Sequence, residues 1–125
     1  AEPENSCYFL TLLNTDMKKT YSALTLANLE LDRQLLETLF ELEIIQSQSE
    51  LGRMCGKTDS YYTCMRYKGF GLKIGSLTFL ISRLNKKMAT ETDVFRSINY
   101  RMAIEHIGRT IDEKCRLREL ELITA

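Results

Sequence analysis

From Asn5 to Leu51 the chain contains neither glycine nor proline. Those two residues stop helices and turn strands, so a stretch this long without them leaves few folds open. A sandwich or barrel needs turn signals roughly every eight to twelve positions. A helix needs none. The whole 125-residue chain carries one proline and six glycines, and the fold class that follows is all-α. Met17, Tyr21, Leu24, Asn28, Leu31, Leu35, Leu42 and Ile45 keep a three–four spacing that places them on one helical face. A long N-terminal helix is predicted, or two in line with a kink near Asn28, with Ser6 capping its start at Cys7. Such length favours a bundle.

Gly52 and Gly56 close that stretch, and a polar, aromatic connector runs between Cys55 and Cys64. Beyond it Phe70, Ile74, Leu77, Ile81, Leu84 and Met88 share one face of a further helix. Thr90-Glu91-Thr92-Asp93 reads as a helix start with Thr90 as cap. The last helix runs from Glu91 to about Leu122, with Phe95, Ile98 and Met102 facing inward first and Ile104, Ile107, Ile111 and Cys115 later. The expected architecture is an antiparallel bundle of about four helices in a single domain over 1–125.

Apolar residues make up 44% of the chain, enough to fill an interior. Seventeen basic residues balance seventeen acidic ones. A nucleic-acid binder gains its affinity by neutralising phosphates and carries a basic excess, so nucleic acid is not an expected partner. No apolar run approaches the roughly 18–20 residues of a membrane span. Acids cluster from Glu30 to Glu50 and bases from Arg53 to Lys87. Such blocks predict pairing across a helix seam rather than a ligand site.

The four cysteines are Cys7, Cys55, Cys64 and Cys115. An even count in a small domain suits two disulfides in an oxidising compartment. Three connectivities exist. The economical one joins Cys55 to Cys64 across the connector and Cys7 to Cys115 between the first helix and the last. Zinc-type and redox Cys-x-x-Cys spacings are absent from the sequence, so no metal and no cofactor is expected. The start Ala1-Glu2-Pro3-Glu4-Asn5 reads as an end left after removal of a signal peptide, which points to a periplasmic or secreted protein.

No catalytic constellation can be assembled from the sequence. His106 is the only histidine, so a di-iron pattern with Glu-x-x-His on two helices is closed. It reads as a structural, half-exposed residue. Gly69-x-Gly71-x-x-x-Gly75 misses the phosphate-cradle spacings and reads as close helix approach. The stretch that stands out for function is Tyr61, Tyr62 and Tyr67 interleaved with Lys57 and Arg66. Tyrosine and arginine dominate protein-recognition hot spots, and a clamped loop loses little entropy on binding.

In overall type, a small processed helical domain with two bridges, the chain resembles bacterial immunity proteins. In architecture alone it is similar to short-chain helical cytokines. No motif carries either resemblance, so no residue role follows from it. The expected function is a non-enzymatic secreted or periplasmic protein-binding module of inhibitor or immunity type, acting by steric binding of another protein. A structural homodimer, hiding surplus apolar surface near Leu35–Ile45, and a helical small-ligand carrier are the alternatives.

Overall fold

The computed structural model describes residues 21–124. The expected first turn at Cys7 and the reading of the amino terminus fall outside them. Within this range the protein is all-helical: α1 (Ala23–Glu41), α2 (Gln48–Met54), α3 (Tyr61–Lys68), α4 (Ile74–Thr90) and α5 (Val94–Thr124). Among the described residues there is no strand.

Helix α1 starts where Ser22 accepts a hydrogen bond from the Thr25 amide at 3.1 Å, satisfying one of the orphan N–H groups of the first turn. It runs unbroken past Asn28 and buries Leu29, Leu35, Leu36 and Leu39 on one face. The predicted continuation to Leu51 does not occur. Glu43 takes a left-handed backbone conformation (φ 59°). The Ile44 amide reaches back to the Leu39 carbonyl at 2.9 Å, and the Glu43 amide to that of Phe40 at 3.0 Å. This is the double bond pattern of a Schellman stop, normally built on glycine. Here a glutamate carries it, with Ile45 buried just beyond. Tertiary burial of that isoleucine overrides local helix preference.

Ser47 and Glu50 form the start of α2: Ser47 Oγ accepts from the Glu50 amide at 3.1 Å, and the Glu50 carboxylate accepts from the Gln46 amide at 2.6 Å. Arg83 of α4 donates to the Arg53 and Met54 carbonyls and so satisfies the other end. Gly52 is obligatory, because a methyl group there would run into the Thr58 carbonyl oxygen. Helix α4 starts at Ile74, later than its predicted face implies. Phe70 precedes it and is exposed, Ile74 is exposed as well, and Leu77, Leu80 and Leu84 face the core. The cap of α5 is Asp93, not Thr90: its carboxylate accepts from the Phe95 and Arg96 amides at 2.8 and 3.1 Å.

The short link at 91–93 folds α5 back along α4, and α5 also lies against α1; α2 packs on α3. Leu35, Leu39, Leu51, Leu77, Leu80, Leu84 and Ile107 meet in the interior with no exposed surface. The predicted pairing of acidic and basic blocks is absent among the described residues. Arg33 is held by Glu30 and Glu37 within α1 itself, and α1 packs chiefly on α5, meeting the basic segment through hydrogen bonds such as Arg66 to the Leu29 carbonyl.

The two expected bridges do not form. Cys55 and Cys115 are free thiols. Cys55 points into the core, where burial pushes its thiol up to about 12. Cys115 follows the buried Lys114 on α5 and therefore faces solvent. Cys64 rides on α3, and Cys7 lies outside the described residues.

Candidate functional site

The tyrosine cluster expected to meet a partner is largely interior. Tyr61 and Tyr62 are buried on α3. The Tyr61 hydroxyl sits 2.8 Å from Ser76 Oγ and accepts from the Lys73 amide at 3.3 Å, tying α3 to the start of α4. Burial holds the Tyr62 phenol above its ordinary range. Arg66 donates to the Leu29 carbonyl at 3.0 Å, and the Tyr67 carbonyl accepts from the Tyr21 hydroxyl at 2.9 Å. Lys57 is exposed, its ammonium 5.9 Å from the centre of the Tyr61 ring. The five residues therefore do not assemble into an exposed aromatic surface. They join helices.

A polar cluster that sequence reading missed lies between α1, α5 and the 69–73 link. Asp32 and Lys114 are both buried, with Oδ1 and Nζ 2.8 Å apart. Asp32 Oδ2 accepts from the Leu72 amide at 2.7 Å. Lys114 donates to Asn28 Oδ1 at 2.8 Å, and Asn28 donates to the Phe70 carbonyl at 3.0 Å. Gly71, at φ 69°, lets the backbone pass so close that a Cβ would stand 2.5 Å from Asp32 Oδ2. Burial pushes the Asp32 carboxyl up, against the opposing pull of Lys114. The signal was present in the sequence: an acid and a base of opposite sign each stand in phase with the inward face of a helix. Every member is committed to another member or to backbone. The cluster is a strut, not a reaction centre.

His106 is half-buried on α5, with burial and the Arg109 charge holding its imidazole below the ordinary range. Among the described residues no group of three or more His, Cys, Asp or Glu could hold a metal ion, and no helix is long and apolar enough to cross a membrane. A groove of about 660 Å³ opens between the start of α1, Phe70 and the second half of α5.

The largest departure from expectation is on α5. Its core side is Ala103, Ile107, Thr110 and Lys114. Phe95, Ile98 and Met102, the first part of the predicted inward set, are exposed, Phe95 by 80%, and so is Val94. Leu120 and Ile123 are exposed near the other end. The surplus apolar surface expected at Leu35–Ile45 is mostly buried, leaving Phe40 outside. Among the described residues much of the exposed apolar surface therefore lies on the last helix, with Leu26, Phe70 and Phe79 exposed elsewhere. No known protein family, curated protein or solved structure matches the chain.

Proposed function

We propose that the protein is a non-enzymatic binding module for another protein chain, resident in an oxidising compartment such as the periplasm or the extracellular space. Its binding surface is the outward face of α5, and it acts sterically. The observation that carries this reading is the run Val94, Phe95, Ile98 and Met102, large apolar side chains left in solvent on a helix that buries Ala103, Ile107, Thr110 and Lys114 on its other side. Exposed side chains of this size cost free energy unless a partner covers them, and contiguous apolar surface marks interaction sites.

A photo-cross-linking residue at Phe95, compared with one at the exposed Leu26 of α1, tests the reading in native extract kept oxidised. A discrete cross-linked protein at position 95, absent at 26 and lost when Ile98→Lys is added, is the expected result. Equal labelling at both positions, or none at either, sinks it.

A further inference from the structure

Phe95, Ile98, Met102, Glu105, Arg109, Asp112, Arg116, Glu119 and Ile123 recur along α5 at alternating spacings of three and four, and all of them are exposed. This is the spacing of a coiled-coil seam. Over 31 residues it runs the length of the helix, about 46 Å at 1.5 Å per residue. The seam is apolar at its ends. Between them the charges alternate: Glu105, Arg109, Asp112, Arg116, Glu119. Among the described residues Glu105, Arg109, Asp112 and Glu119 make no ion pair; Arg116 meets only its neighbour Glu113 one turn away, both well exposed.

We propose, resting on the binding role of the α5 face argued above, that the partner is a second copy of this chain, paired antiparallel along this seam. The charge order selects the register. With Arg109 opposite Asp112 of the second copy, moving one residue up one helix moves one residue down the other. Glu105 then meets Arg116, Met102 meets Glu119, and Ile98 meets Ile123. Two-fold symmetry repeats each pairing, so four opposite-charge contacts lie at the centre, and Ile98 against Ile123 closes the seam toward each end. Centring the pair on Arg109 instead would set arginine against arginine and Glu105 against Glu113. The seam is thus complementary to itself in this alignment and repulsive in that neighbouring one. A parallel pair would place every charge against its own copy. The left-handed drift of a three–four seam calls for a shallow crossing of about 20°.

Sedimentation of the intact oxidised protein across micromolar concentrations tests this, with circular dichroism confirming that each variant stays folded. The wild type is expected to dimerise. Arg109→Glu should weaken the dimer by about tenfold or more, because like charges then oppose each other twice. Adding Asp112→Arg to Arg109→Glu should restore it, since the two positions face each other. A monomer at every concentration, or a dimer indifferent to Arg109→Glu, overturns the pairing, as does failure of the double variant to recover. In the cross-linking experiment, self-labelling at position 95 supports the pairing. Labelling of a different protein there overturns the pairing and leaves the binding role standing, whereas no labelling removes the binding role as well.

Discussion

Helices α1 and α5 solve the same problem in opposite ways. On α1 the buried face is Leu29, Leu35, Leu36 and Leu39, rotated slightly from the predicted set, of which Leu35 is buried and Leu24, Asn28 and Leu31 are half-buried, with one acid, Asp32, carried into the core. On α5 the most apolar early residues point outward, and the core side is filled by alanine, one isoleucine, a threonine and a lysine. Periodicity specifies that a helix has a face; it does not say which element that face will meet. Where a helix carries apolar residues on two sides, the side that packs is decided by its neighbours. Here α4 and α1 leave α5 a slot narrow enough for Ala103 and long enough for the Lys114 side chain to reach Asp32.

The strongest way to break this comparison is to remove the charge that α1 lends to α5. Asp32→Ala leaves Lys114 buried without its counter-ion and should destabilise the fold by about 3–5 kcal/mol, read from chemical denaturation. The double change Asp32→Leu with Lys114→Met should recover most of that loss, because desolvation of both charges disappears together. If the single variant is neutral, the pair is not the strut described above.

Next in size, Leu39→Ala in the core should cost about 2–5 kcal/mol, while Phe95→Ala, although it removes a larger side chain, should change monomer stability by under about 0.5 kcal/mol. Equal losses would place Phe95 in a packed environment and erase the difference between the two helices. Glu43→Gly should stabilise by roughly 0.5–1 kcal/mol, since glycine accepts the left-handed conformation without steric cost; a lower melting temperature would contradict the Schellman geometry.

The smallest effect is in pH. His106 has its proton affinity lowered by burial and by Arg109. The unfolded chain therefore takes up the proton first as pH falls below about 6.5, and stability present above that value declines. His106→Gln should flatten the decline between pH 7 and 5. A stability profile that the substitution leaves unchanged would place the titrating group elsewhere.

The helical class was legible because glycine and proline are so scarce, and the core positions Leu35, Leu77 and Leu84 because they sit in clean register, whereas Leu29, Leu39 and Leu80 lie beside the predicted faces. The sulfur pairing was not. Sequence separation favoured Cys55 with Cys64, but α3 begins at Tyr61, so Cys64 rides on a helix while Cys55 turns into the core. The tyrosines misled for a related reason. A polar, aromatic composition between two cysteines resembles a loop, whereas here half of it is a helix whose rings fill the interior. The α5 seam needed the structure to find, because its apolar ends look like core until the buried side of the helix is known.

Glu43 has one more consequence. Nothing in the local chemistry around it forbids helix, and the bend persists only because Ile45 and the leucines after it are drawn beneath neighbouring segments. Cut free as a peptide, the span 23–54 would have no reason to turn there, and helix would run straight through the corner. The shape of this joint is thus a property of the assembled molecule: it exists only once the rest of the chain has closed around it.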